Sequence, residues 1–183
     1  MINGASAAGR KIYIGGGAVS LAEYLPETDA RKCYDSWFDP EVQSGYNFVR
    51  KDTFEEYAKK GCVEVAGQRF HAVIISNGTR EVIGAIGLSP EGTPPDLSIR
   101  IFKPHCGRGY GAEAFALGVK YCFDALNFDR IYAGCYPHNK ASRRMLEKCG
   151  FRRNPAGDLD EKHYLTGEPI VQYDYVTENP MGR

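Results

Sequence analysis

Four segments in fixed order between Leu97 and Tyr136 limit the fold more than anything else in this chain. "DLSIRIF" alternates Leu97, Ile99 and Ile101 with Ser98, Arg100 and Phe102, the period of a strand. "HCGRGYG" then alternates three glycines with Arg108 and Tyr110. Ala112, Phe115, Ala116, Val119, Phe123 and Leu126 follow at helical spacing. They predict a helix of roughly 16 residues, about 24 Å long, ending near Asn127. "RIYAGCY" reads as a second strand. Two strands bracketing one helix form a crossover unit, so they should lie parallel with a right-handed connection.

The flanking segments extend this pattern. "PETDARKCYDSWFD" opens on Pro26, offers Thr28 and Asp29 as caps, and spaces Ala30, Cys33, Tyr34 and Trp37 for a helix. "DTFEEYAKKG" predicts a short helix capped by Asp52 or Thr53 and ended by Gly61. "RFHAVIIS" and "REVIGAIGL" are β-branched runs separated by Asn77–Thr79, the signal of a hairpin. "HNKASRRMLEKCGF" predicts a helix ended by Gly150, and "PIVQYDYVT" a last strand. At 183 residues one domain is expected. We read it as residues 10–178, with flexible ends at 1–9 and 179–183.

Lys plus Arg equals Asp plus Glu, for a formal net charge of zero. The basic excess that usually marks a nucleic-acid or membrane-surface partner is therefore missing, and neither partner is expected. No apolar run approaches the roughly 20 residues that span a bilayer. The N-terminus carries no signal-peptide core. The six cysteines form no C-x-x-C pair and no Cys/His cluster of zinc spacing, so no metal is expected. Reduced thiols and a cytoplasmic location follow as expectations.

Three alternating glycines free several backbone N–H groups at the start of a helix, and such groups bind anions. A P-loop is excluded, because the loop lacks the Gly-Lys-Ser/Thr step. A dinucleotide fingerprint is a closer rival. Gly107, Gly109 and Ala112 fit G-x-G-x-x-G/A, and Asp129 stands where the ribose-binding acid is sought. The motif comes late in the chain, however, and Asp129 precedes the second strand rather than ending it.

The loop and the later helix together resemble the GCN5-related N-acetyltransferase (GNAT) family. Its signature Q/R-x-x-G-x-G/A falls on Cys106, Gly107, Arg108, Gly109, Tyr110 and Gly111, with Cys106 replacing the usual Gln or Arg. Asn139 to Phe151 is similar to N-x-A-S-x-x-x-L-E-K-x-G-F of the RimJ/RimL-type branch, the ribosomal-protein-alanine acetyltransferases. The resemblance covers roughly Arg10 to Thr177. It implies an α/β (α+β) fold with a mixed, mostly antiparallel sheet of six or seven strands, a parallel pair splayed around the cofactor, and about four flanking helices. It further implies acetyl-coenzyme A as cosubstrate, its pyrophosphate held by N–H groups from Gly107 to Ala112. The pantetheine arm would lie beside Ile101, Phe102 and Lys103, with Asn139 opposite. Arg108, Lys140 and Arg143 would meet the nucleotide's phosphates.

The implied activity is acetyl transfer to a primary amine, on a small molecule or a protein N-terminus. A non-catalytic acyl-coenzyme A-binding module is the alternative. A backbone N–H near Phe102 would polarise the carbonyl. The tyrosine acid of many relatives is replaced by Leu146, and Ser142 is the substitute that the resemblance proposes. His163, near Glu161, takes the place of the relatives' basic carboxylate, and histidine titrates near neutral pH. Glu113 and His138 are read as helix-start residues. A covalent route through Cys106 or Cys135 lacks an activating histidine. Exposed final strands leave pairing into a homodimer open.

Overall fold

Three runs of β-branched residues build the centre of the molecule. The computed structural model of the chain describes residues 9–59 and 67–182. The expected N-terminal tail up to residue 8, the expected cap Gly61, and Cys62 lie outside that range. β3 (Gln68–Ser76) and β4 (Val82–Pro90) form the expected hairpin, and β5 (Leu97–Ile101) pairs antiparallel with β4. The hairpin turn is longer than an Asn-Gly pair requires. Arg80, at φ 62, takes the left-handed position, and its N–H closes on the Ser76 carbonyl at 2.8 Å. Two strands that the sequence reading passed over, β1 (Ile12–Gly15) and β2 (Val19–Ala22), complete a five-stranded sheet in the order β1-β2-β3-β4-β5.

Strand alternation sorts the core into two layers. Phe70, Ala72 and Ile74 of β3 face one side, and Val73 and Ile75 the other. The first side is covered by α4 (Tyr110–Asp124), through Phe115, Val119, Cys122 and Phe123. The second is covered by α1 (Pro26–Ser36) and α3 (Phe54–Lys59), through Ala30, Cys33, Tyr34 and Tyr57. A short helix absent from the sequence reading, α2 (Pro40–Tyr46), starts at the Asp39 cap. The Asp39 carboxylate accepts the Glu41 N–H at 2.9 Å.

The second half adds β6 (Arg130–Cys135), α5 (Lys140–Lys148) and a sheet in the order β6-β9-β7. Here β7 is Arg152–Arg153 and β9 is Pro169–Glu178. β8 (Leu159–Lys162) pairs with the start of β9. The α/β class therefore stands, with the strands divided between two sheets.

Asp29 does not act as the helix cap. Leu25 is the cap residue of α1, and the buried Asp29 carboxylate reaches back to accept the Leu25 N–H at 2.8 Å. The same carboxylate receives Nη1 and Nη2 of Arg10 at 2.5 and 3.0 Å. Arg10 also donates to the Glu23 carbonyl, so one ion pair ties the chain ahead of β1 to the start of α1. Only 5% of the Arg10 side chain and 1% of the Asp29 side chain is exposed. Removing one partner leaves the other charge buried. Asp29→Ala is expected to cost about 3–5 kcal/mol in urea unfolding, and the apolar pair Arg10→Met with Asp29→Leu should recover most of it.

Candidate active site

β5 and β6 are the expected parallel pair, yet they touch at one point. Asp96 bridges Tyr132, and the Tyr132 N–H donates to the Pro95 carbonyl at 2.8 Å. Beyond that point a cleft of about 1540 Å³ opens between the strands. The hydrogen bonds on the other side of β5 fix which backbone groups face it. The Phe102 N–H donates to Ile83 and the Ser89 N–H to Asp96. In an antiparallel pair such bonds alternate, so even-numbered residues turn their peptide groups to β4. Leu97, Ile99 and Ile101 turn theirs toward β6.

The mouth of the cleft is built from two helix starts. Gly107 and Gly109 hold φ of 75 and 84, a region that side chains rarely adopt, and Gly109 caps α4. Asn139 caps α5, its Oδ1 accepting the Ser142 N–H at 3.0 Å. Gly109, Gly111 and Ala112 line the cleft from α4, and Asn139 and Ser142 line it from α5. Partial positive charge from both helices converges there. A phosphate-bearing ligand with an extended polar arm fits these groups.

Of the residues expected at the site, Ile101, Cys106, Gly109, Gly111, Ala112, Asn139 and Ser142 line the cleft, as does Lys140. Others do not. Phe102 is buried in the core layer under α1, and its N–H is already bonded. Lys103 pairs with Asp39 at 3.1 Å and Glu41 at 3.6 Å. Gly107 and Arg108 are exposed in the loop without lining the cleft, and the Tyr110 ring packs against the core. Arg143 turns to the Pro137 carbonyl and Tyr175, whereas Arg144 and Lys148 reach the cleft.

His163 is also displaced from its expected role. It sits in the β8–β9 turn, where Nδ1 accepts N–H groups of Leu165 and Thr166 at 3.4 and 3.3 Å. Its ring closes a turn and does not line the cleft. Leu146 is core, at 1% exposure. Glu113 receives the Ala18 N–H at 2.9 Å, tying the β1–β2 turn to α4. His138 lines the cleft and bonds Ser44 at 2.9 Å. Burial pushes the Cys135 thiol up, and burial with Glu41 and Asp39 nearby does the same to Cys106. Neither is an activated nucleophile.

An acid that no sequence motif marks, Asp96, lines the cleft where β5 and β6 meet. The Asp96 carboxyl lies beside Gly134 where the strands part. Burial, and then the Asp174 carboxylate, push it up to about 6. Asp174 lines the same cleft and is itself pushed up by burial. A carboxyl that titrates near neutral pH is suited to take a proton from an ammonium or amine. The only sequence sign was an acid at the entry of the strand that leads into the glycine loop.

Comparisons agree with this geometry. Residues 21–152 match the family model of the acetyltransferase (GNAT) domain, and the chain belongs to that family. It is 34% identical over 105 residues to the uncharacterized N-acetyltransferase YoaA of Bacillus subtilis, a match covering 56% of this chain and 58% of that protein. The fold resembles spermidine N-acetyltransferase from Vibrio cholerae, solved with CoA and spermine. The TM-score is 0.75 at 19% identity, over 89% of this chain and 96% of that one. It also resembles Mycobacterium smegmatis RimJ, solved with CoA-disulfide. There the TM-score is 0.74 at 19% identity, over 94% and 88%. The dinucleotide alternative fails on topology. Asp129 enters β6 at the end away from the glycine loop. Among the described residues no helix is long and apolar enough to cross a membrane.

Asp96 makes a stability test possible. Its carboxyl titrates near 6 in the folded protein and near 3.8 when unfolded. The native state then holds the extra proton between these values, so wild-type stability falls as pH rises from about 4 to about 6. Asp96→Asn escapes that loss. It is expected to be more stable than wild type by roughly 2 kcal/mol at pH 7, allowing for solvent in the cleft, and to show no advantage below about pH 4. Denaturant titrations at the two pH values check this.

Proposed function

We propose that this chain transfers the acetyl group of acetyl-coenzyme A directly to a primary amine. The observation that carries the reading is the splayed parallel pair, with a β5 backbone edge facing the cleft and two helix starts at its mouth. When bound, the cosubstrate supplies an activated acetyl thioester. Backbone N–H groups of Gly109, Gly111 and Ala112 would hold its pyrophosphate. The Ile99 and Ile101 peptide groups would pair with its pantetheine arm, in place of Phe102. Asn139 faces them across the cleft, and Lys140, Arg144 and Lys148 stand near enough to meet the nucleotide's phosphates.

The remaining chemistry belongs to this chain. The N–H of Ile99 or Ile101 polarises the carbonyl, a role Phe102 cannot fill. Asp96 accepts the amine's proton, in place of His163. The nitrogen's second proton passes to the departing thiolate beside Ser142, which leaves readily without an acid's help and ends as the thiol at neutral pH because thiols ionise near pH 8.5. Small-molecule amines and protein N-termini both satisfy these requirements, and the acidic floor favours an acceptor that arrives as a cation.

Thermal unfolding with acetyl-coenzyme A, desulfo-coenzyme A and NAD separates the readings. Either coenzyme A species at 100 times its Kd is expected to add about 2.7 kcal/mol, or roughly 5–10 °C, while NAD adds nothing. A shift from NAD alone would restore the dinucleotide reading. Stabilisation by acetyl-coenzyme A without turnover of any amine would mark a binding module.

Turnover, once found, is expected to rise with pH through about 6 as Asp96 ionises. Asp96→Asn should lose about 100-fold or more in rate. Asp174→Asn removes the charge that raises the Asp96 carboxyl, so the inflection of the pH–rate curve should move down. An unmoved inflection would remove Asp96 from the base role.

A further inference from the structure

We propose that Gln172 binds the acceptor, its side-chain carbonyl taking a hydrogen from the incoming amine, and that Tyr136, Glu161 and Asn47 fix which way its amide points. This inference rests on the transfer reading above and names a specificity-determining contact for it.

The polarity of the chain of bonds starts from a backbone group. The Tyr164 N–H can only donate, and it does so to Asn47 Oδ1 at 2.8 Å. Asn47 Nδ2 is thereby the donating end of its amide, and it donates to Glu161 Oε2 at 2.9 Å and to the Lys162 carbonyl at 2.9 Å. Glu161 Oε2 also accepts from the Tyr136 hydroxyl at 2.6 Å. Burial, followed by the Glu161 carboxylate, holds the Tyr136 phenol well above its ordinary range, so it stays protonated. With its one proton given to Glu161, the Tyr136 oxygen can only accept. Gln172 Nε2 donates to it at 3.4 Å. That leaves Gln172 Oε1 as the free-facing acceptor.

Oε1 points where it can matter. Gln172 lines the cleft and lies across Gly134. A Cβ on Gly134 would stand 2.6 Å from Oε1, so the approach exists only because residue 134 has no side chain. The Asp96 carboxyl also lies beside Gly134. The Gln172 carbonyl and the proposed base therefore flank one residue of the cleft lining. An amine nitrogen seated there has two acceptors for its hydrogens, whereas an alcohol has one hydrogen for both. A flipped Gln172 amide would present two donors to a cation, which is repulsive.

Steady-state kinetics on the full chain test this, with 1,4-diaminobutane, propylamine and an alanine-initiated peptide as acceptors. Tyr136→Phe keeps the ring and frees the amide, and Gln172→Leu removes the carbonyl at a cleft-lining position. For the acceptor that wild type uses best, each variant is expected to raise the acceptor KM about tenfold. The KM for acetyl-coenzyme A should stay within about twofold. The double variant should be no worse than Gln172→Leu alone, because both changes act through one oxygen. Wild type active, with acceptor KM unchanged in Gln172→Leu, would overturn this inference and leave the transfer reading standing. So would additive losses in the double variant. Wild type that binds acetyl-coenzyme A but acetylates none of the amines would overturn both.

Discussion

Everything at the site depends on two parallel strands held together at a single point. β5 and β6 meet where Asp96 bridges Tyr132 and then part. Past that point the odd-numbered peptide groups of β5 are left facing a cleft, and the Asp96 carboxyl lies beside Gly134 where the two strands part. The gap is held open from above. Phe115 of α4 and Phe151 after α5 pack with tilted rings 5.5 Å apart, and Leu146 is buried in the same core.

The arrangement has a cost that falls on the same residue. A carboxyl placed where strands diverge is shielded from water and faces Asp174, so its ionised form is disfavoured. A well-packed apolar residue would make a more stable fold. It would also leave the cleft without a group that titrates near neutrality. Conflict between local stability and a group's usefulness is a common mark of a functional site.

Much of the architecture was legible in the sequence, because it is written in period. The strand–glycine loop–helix–strand order and the hairpin before it survive nearly unchanged. What failed was reading at the level of single backbone groups. Ile101 and Phe102 are adjacent in sequence but turn their peptide groups to opposite neighbours, and only the pairing with Ile83 decides which is which. Arg143 and Arg144 differ in the same way around a helix. β1, β2 and α2 were missed because each is short. "IYIG" and "VSLA" lack the length that makes alternation convincing, and α2 is only seven residues. His163 was read by chemical type, yet its bonds show a turn-closing residue. Asp96 could not be found that way at all, since its shift comes first from burial and then from Asp174, neither of which a local pattern encodes.

A net charge of zero conceals how the charges are sorted along the cleft. Lys140, Arg144, Lys148 and two helix starts lie toward the mouth, where Asp39 and Glu41 are paired with Lys103, while Asp96 and Asp174 line the cleft where the strands meet. The mouth attracts an anion and the floor a cation. Under the proposed reaction these are the two substrates, a coenzyme bearing phosphates and an amine that arrives protonated. Each is drawn to its own end, and each is discouraged from the other. The amine must still lose a proton before it attacks, and the group that attracts it is the one suited to take that proton. Once Asp96 is protonated, its charge is gone and its hold on the product weakens, which favours release of a neutral amide. Under the proposed reaction, binding, activation and release of the acceptor all trace to one carboxyl at the point where two strands part.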